Sequence, residues 1–271
     1  MPGIALVDPQ VLGVLGVIEL LLFAVLGLIF GSFSSAMIHR LPSGVGVFSP
    51  GQRSACPHCA HTLGVLDLIP LFSWLFSRGR CRYCSANIPA LYPFLELSAA
   101  LLAILIFIFY PAQDLMQSFI VLALLPFLLA LLIIDIRHKT LPNILVAIIF
   151  MLGLTSLAYQ VYLEPGTMKG RIAEHLAGAL VYMTLAWLLA AGMTKILKKQ
   201  ALGMGDVKFF AVAGLWLGLG DLGAFCILSG ILGVLFGVAW QKIKNEVLFP
   251  FGPALIVSFF ILLLMGGSHS L

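Results

Sequence analysis

Residues 115–134 read LMQSFIVLALLPFLLALLII, twenty positions without a formal charge, and the next residue is Asp135. About 20 apolar residues in a helix cross the hydrocarbon core of a bilayer. The stretch therefore predicts a membrane-spanning helix that ends on a carboxylate. Seven further apolar stretches lie at residues 11–38, 90–109, 144–161, 176–196, 207–219, 222–240 and 247–265. Together they predict an all-α, polytopic membrane protein with about eight transmembrane helices. The composition agrees. Only 10% of the 271 residues are charged and 61% are hydrophobic, with a mean hydropathy of +1.11, against about 25% charged in soluble proteins. An ordinary soluble enzyme and a disordered chain are both excluded. The net charge of +4 comes without a long basic run, so nucleic acid is not an expected partner, whereas membrane lipid is. Residues 1–10 carry no positive n-region, and a cleaved signal peptide is not expected.

The few cations sort by loop. Thirteen of the fifteen Lys and Arg residues fall in the odd-numbered connections: Arg40, Arg53, Arg78, Arg80 and Arg82 after the first stretch; Arg137 and Lys139; Lys195, Lys198, Lys199 and Lys208; Lys242 and Lys244. The other side has only Lys169 and Arg171. The positive-inside rule puts the first set in the cytoplasm and both termini outside. The chain then reads as a first transmembrane helix at 1–38, a cytoplasmic domain at 39–89 and a seven-helix membrane core at 90–271. The apolar run at 66–76 is short and interrupted by Pro70. It predicts either the small core of the cytoplasmic domain or a segment lying in the membrane interface.

That domain holds Cys56-Pro-His-Cys59 and Cys81-Arg-Tyr-Cys84, two CxxC pairs separated by 21 residues. A CxxC turn offers two thiolates to one metal, and two such turns complete a tetrahedral Cys₄ zinc site. Disulfides are the competing reading, and a cytoplasmic placement counts against them. Four thiolates leave no open position for water, so the zinc is structural. His58 and His61 read as solvated loop residues, and Cys226 as a packing residue inside a helix.

Five acids fall in or at the ends of apolar runs: Glu19, Glu96, Asp135, Glu174 and Asp206. Ionisable groups in such places point to function. Asp135 ends the third stretch and Asp206 begins the sixth, which runs the opposite way, so the two share a depth near the cytoplasmic face. If those helices are neighbours, the carboxylates can share a proton, one acting as base on a water while the other donates to a carbonyl oxygen. An interfacial ion pair with Arg137, Lys139 or Lys208 is the simpler alternative. Gly203 and Gly205 either admit a substrate strand through unusual dihedrals or form a plain flexible loop end. Lys208 either attracts an acidic residue of the substrate or reaches lipid headgroups. Glu96 either pairs with a base or contacts a substrate amine or cofactor. The patterns Gly214-x-x-x-Gly218 and Gly233-x-x-x-Gly237 predict close helix packing.

GMGDVK at 203–208 is a GxGD motif, and DIRHKTLPN at 135–143 resembles the partner motif of the type IV prepilin peptidases, membrane aspartic proteases of the GxGD type. GSF at 31–33 with HRLP at 39–42, the two CxxC pairs, YPFLEL at 92–97 and PFGP at 250–253 resemble further signatures of that family, in order along nearly the whole chain. The resemblance implies an enzyme of the bacterial inner membrane. It would cleave the basic leader of type IV prepilins or type II secretion pseudopilins after glycine, on the cytoplasmic side. It would then methylate the new N-terminal residue with S-adenosylmethionine. Asp135 and Asp206 would be the catalytic dyad, and Gly203, Gly205, Lys208 and Glu96 its supporting residues. Cys56, Cys59, Cys81 and Cys84 would hold zinc in a domain tied to the methyltransferase. Two departures stand out. Ser34-Ser35 replaces the family's Leu-Asn, which bears on methyl transfer more than on cleavage, so a peptidase without methyl transfer stays open. Asn143 stands where many relatives have aspartate, which removes a third carboxylate. A proton-coupled transporter and a zinc-anchored scaffold without chemistry are the other classes considered; no inverted repeat favours the former.

Overall fold

The computed structural model describes residues 14–46, 54–110, 115–198, 202–246 and 248–266. The starts of the first and last predicted stretches (11–13 and 247), and Arg53 and Lys199, lie outside them. The described residues are helical apart from loops and two isolated β-bridges, and each of the eight apolar stretches is mainly helical over its described residues. The helices are α1 Val14–Arg40, α2 Phe72–Phe76, α3 Leu91–Phe109, α4 Leu115–Leu122, α5 Leu125–His138, α6 Asn143–Leu163, α7 Met168–Leu197, α8 Met204–Leu217, α9 Leu222–Lys244 and α10 Gly252–Gly266. Among the described residues six segments are long and apolar enough to cross a membrane, counting α4 and α5 together. The other two expected spans are short: α8 has 14 residues and α10 has 15. At 1.5 Å per residue these measure about 21 and 22 Å, less than the roughly 30 Å of a hydrocarbon core.

The third expected span breaks at Ala123 and Leu124. Pro126 has no N–H to give to Leu122, and its ring crowds that carbonyl. The chain passes through a turn in which the Leu124 N–H bonds the Val121 carbonyl at 3.1 Å. Helix α7 begins at Met168, eight positions before the expected apolar edge, because its polar first turns are helix too; there Arg171 pairs with Glu164 at 2.6 Å.

The chain forms two compact units, Met1–Gln113 with Val121–Leu129, and Asp114–Ile120 with Ala130–Leu271. In the first, α1 lies along α3. A Cβ on Gly27 would come 2.7 Å from the Ala100 Cα, and one on Gly31 would come 2.5 Å from the Glu96 Cα. Only hydrogen at these two positions lets the backbones meet. Phe23 and Phe107 extend the seam with ring centroids 5.4 Å apart.

The cysteine segment of this unit contains one hairpin built twice. In each copy the first cysteine N–H bonds the carbonyl five residues on (Cys56 to His61, 3.0 Å; Cys81 to Ala86, 2.8 Å). The residue after the second cysteine turns back to the first (Ala60 to Cys56, 2.9 Å; Ser85 to Cys81, 2.9 Å) and has positive φ, 56° and 59°. A flanking bond closes each loop (Leu63 to Ser54, 2.8 Å; Ile88 to Gly79, 2.7 Å). His61 is an exposed loop residue, as expected, and its ring lies against that of Tyr83 across the two hairpins, centroids 3.6 Å apart. The run at 66–76 is not a core: Leu66, Phe72, Leu75 and Phe76 are exposed.

In the second unit α8 is central and buried along most of its length, packed on α6, α7 and α10. A Cβ on Gly178 of α7 would come 2.5 Å from the Gly214 carbonyl of α8, so the expected close crossing is present at Gly214. Gly218 instead caps α8 at φ 74°. Gly233 and Gly237 make room for the rings of Phe251 and Phe249 rather than for a helix backbone. Gly153 leaves space for Trp216, whose Nε1 donates to the Ile149 carbonyl at 3.1 Å and ties α8 to α6. Cys226 is half-buried in α9 and has no disulfide partner.

Candidate active site

Three segments of the second unit converge on Leu141. Asp135 sits on the last turns of α5, which ends where the Lys139 N–H bonds the Asp135 carbonyl at 2.8 Å with Lys139 at φ 54°. The chain then turns through Leu141 and Pro142 into α6. Gly205, in the first turn of α8, lies so close that a Cβ there would come 2.9 Å from the Leu141 Cβ. Gly252, the first residue of α10, lies on the other side: a Cβ there would come 3.2 Å from the Leu141 Cδ2 and 2.5 Å from the Asp135 Oδ2. Leu141 is thus the wedge against which both glycine-bearing helix starts are seated.

Asp135 is buried, 4% exposed, and its Oδ2 accepts a hydrogen bond from the Gly252 N–H at 3.0 Å. A charge-assisted bond of this kind stabilises a carboxylate by about 1.5–3 kcal/mol. It comes from the first turn of α10, where the helix dipole is positive. Asp206 is half-buried at the third position of α8. Its Oδ2 accepts from the Gly203 N–H at 3.2 Å, and the Asp206 N–H returns a bond to the Gly203 carbonyl at 3.1 Å. Both carboxylates therefore face helix N-termini, on segments that meet at Leu141. The site has a fixed, buried acid and a second acid that water can reach.

The glycines of GMGD supply space and not unusual dihedrals. Gly203 has φ −70° and ψ 146°, ordinary extended values, and Gly205 is helical. A Cβ on Gly203 would press to 3.1 Å of the Asp206 Oδ2. Lys208 donates to the Asn143 Oδ1 at 2.8 Å and so ties α8 to the start of α6. Lys139 pairs with Glu246 at 2.6 Å and lies over the Trp240 ring at 5.9 Å, bracing the turn after Asp135 against the end of α9. Gly252 and Leu141 carry no chemistry of their own, and the sequence reading gave them no role. The PFGP segment was the one signal that could have found Gly252.

Glu96 belongs to the first unit. It is 6% exposed and accepts the Leu71 N–H at 2.6 Å, with no cation at ion-pair distance among the described residues. Leu71 carries a strained φ of 65°. The bond anchors α2 to α3, a role neither sequence alternative contained.

In the same unit the Sγ atoms of Cys56, Cys59, Cys81 and Cys84 all lie within 4.8 Å of one another. Cys56 and Cys84 are 3.8 Å apart and all four are free thiols. Four thiolates at 2.3 Å around a tetrahedral metal stand about 3.8 Å apart, so the cage fits zinc. The backbone N–H groups of Cys59 and His58 hold Cys56 down at about 6. The Ala86 N–H favours the Cys84 thiolate, but burial and the three neighbouring sulfurs outweigh it and push that thiol up to about 12. A dication held by the four sulfurs would favour their thiolate forms.

Residues 25–110 match the Bacterial Peptidase A24 N-terminal domain and residues 122–238 match the Type IV leader peptidase family. The Type 4 prepilin-like proteins leader peptide-processing enzyme of Escherichia coli O78:H11 (strain H10407 / ETEC) is 33% identical over 84% of this chain and 87% of its own. The Prepilin leader peptidase/N-methyltransferase of Aeromonas hydrophila is 34% identical and that of Stutzerimonas stutzeri 31%, each over 89% of both chains. No solved structure matches the chain.

Proposed function

The chain belongs to the type IV leader peptidase family, and from that premise we propose that it is a membrane aspartic endopeptidase acting on prepilins, with Asp135 and Asp206 as its catalytic pair. The substrate is a type IV prepilin or type II secretion pseudopilin whose basic leader is cut after glycine at the cytoplasmic face of the bacterial inner membrane. The bond between the Gly252 N–H and the Asp135 carboxylate carries this reading, because it fixes one acid while the GMGD turn fixes the other beside it.

One carboxylate takes a proton from water as the water oxygen attacks the scissile carbonyl carbon. The other, protonated, gives its proton to the carbonyl oxygen. Collapse of the tetrahedral intermediate breaks the C–N bond, and the leaving amine takes up a proton from the dyad. The half-exposed Asp206 is the acid that incoming water meets first. Lys208 and the Lys139–Glu246 pair hold the two acid-bearing segments in register.

The second activity is N-methylation of the amine just released. S-adenosylmethionine would supply the methyl group to that amine. Cys56, Cys59, Cys81 and Cys84 would hold zinc, which would brace the cytoplasmic domain at 39–89, between a first span ending near residue 38 and a peptidase core at 90–271. The exposed apolar run at 66–76 lies in the membrane interface, and both termini are outside.

The test is a prepilin incubated with the purified protein in detergent, followed by mass spectrometry. Loss of the leader should vanish in both Asp135→Asn and Asp206→Asn, and added S-adenosylmethionine should add one methyl to the wild-type product. Cleavage that survives either substitution overturns the dyad.

A further inference from the structure

Helices α5 and α9 end side by side, each on a left-handed residue, Lys139 at φ 54° and Asn245 at φ 53°. The residue after Asn245 is Glu246, whose Oε2 accepts from the Lys139 Nζ at 2.6 Å. The same ammonium lies 5.9 Å from the centroid of the Trp240 ring. A carboxylate, an indole face and two helix C-termini, where the dipoles are negative, all favour a cation at this point. The place is open to solvent: the Lys139 side chain is 40% exposed and that of Glu246 50%. An exposed pair contributes little to stability, so a second cation can exchange for Lys139 at small cost.

The charges around it select which cation. Asp135 and Asp206 share a proton in the proposed reaction and cannot hold a counter-ion as well. The unit's other described acids, Glu164, Glu174 and Asp221, belong to the opposite helix ends, after α6, early in α7 and before α9. Among the described residues Glu246 is therefore the one carboxylate outside the dyad at this end of the unit. Arg137, Lys195, Lys208, Lys242 and Lys244 share that end with it, and they repel a basic peptide everywhere else. The Lys139 N–H closes one helical turn onto the Asp135 carbonyl at 2.8 Å, so Lys139 stands about 6 Å along the axis from Asp135. Extended chain covers about 3.3 Å per residue, which puts a side chain about two to four residues before the cut within reach. We propose that Glu246 and Trp240 form a subsite for a lysine or arginine of the substrate's basic leader, and that Lys139 occupies it as a placeholder until the leader arrives. The subsite rests on the peptidase reading, and it makes Glu246 a specificity residue and not a catalytic one.

Initial rates of leader release by the full chain in detergent test this, with two prepilins, one carrying its basic leader and one whose leader Lys and Arg are replaced by Gln. The wild type should favour the basic leader about threefold in KM, Lys139→Gln about tenfold, and Glu246→Gln not at all. The two variants remove the same ion pair, so a brace without a binding role would move both in one direction and equally for both leaders. Glu246→Asp, which keeps the charge, should keep the preference. Lys139→Gln decides alone where Glu246→Gln does not fold, since only a vacated subsite tightens binding of the basic leader. Variants that shift both leaders alike, or a Glu246→Gln enzyme that keeps the preference, overturn the subsite and leave the dyad standing. A wild type that cuts neither leader overturns the peptidase reading and the subsite with it.

Discussion

Gly252→Ala should disable cleavage without touching either carboxylate. The added Cβ would stand 2.5 Å from the Asp135 Oδ2 and 2.9 Å from its Cγ. Both atoms belong to a buried side chain hemmed in by Leu141, so little can yield except Asp135 itself. Reaching an ordinary contact of 3.4 Å needs a shift of about 0.9 Å, and a misplacement near 1 Å at a reacting group costs about 100-fold. The same shift stretches the 3.0 Å bond from the Gly252 N–H. We therefore expect kcat to fall about 100-fold, equivalent to about 2.7 kcal/mol of barrier, with KM changed little. Overpacking should also cost about 1–3 kcal/mol of stability. The assay is the initial rate of leader release in detergent, read alongside thermal melting. Gly230→Ala is the matched control, since nothing lies within 4 Å of a Cβ there, and it should cleave like the wild type. A folded Gly252→Ala enzyme within threefold of wild-type kcat would refute the view that this glycine seats the catalytic acid.

Gly178→Ala should drive a methyl into the Gly214 carbonyl and lower stability by about 1–3 kcal/mol in thermal melting, with more than an additive loss avoided when Gly214 is left unchanged. Cys56→Ser should reduce bound zinc below one per chain by elemental analysis, and zinc retention in the wild type should fall as pH drops, because protons compete for the thiolates. Asn143→Asp should convert the Lys208 hydrogen bond into an ion pair worth less than about 1 kcal/mol, visible as a small rise in melting temperature with cleavage retained. Glu246 has its carboxyl held below the usual range by the Lys139 ammonium. The Lys139–Glu246 brace should accordingly persist at neutral pH and be lost as pH falls through that lowered value; a Glu246→Gln protein should lack this acid-side step in a pH series of melts.

The helices were legible because bilayer burial leaves a plain mark: long uncharged runs end where the spans end, and residues 144–161 differ from α6 by a few positions at most. Breaks inside a run were harder. Pro126 is visible in the sequence, but a proline can kink a helix or split it, and the turn at Ala123 and Leu124 depends on what the freed carbonyls meet. The site was half legible. GMGD and DIRHKTLPN marked the acids, since charge at such positions requires a reason. The partners of those acids were not marked, because Gly252 acts through a backbone N–H and Leu141 through shape, and neither leaves a chemical signature. Glu96 is the opposite case: its charge was conspicuous, and its bond goes to the Leu71 amide, which no pattern of side chains could reveal.

The shortness of α8 has a consequence for water. A central helix about 21 Å long inside a slab about 30 Å thick leaves roughly 9 Å of depth that its own backbone does not fill. At its first turn Asp206 is half-buried beside the exposed Gly203 and Met204. Lipid tails cannot satisfy the amides exposed at such an end, so that depth has to be hydrated or lined by other backbone. A hydrated inlet at the start of α8 would bring the attacking water to the dyad and let a pilin helix unwind there, its freed amides solvated before either proton moves.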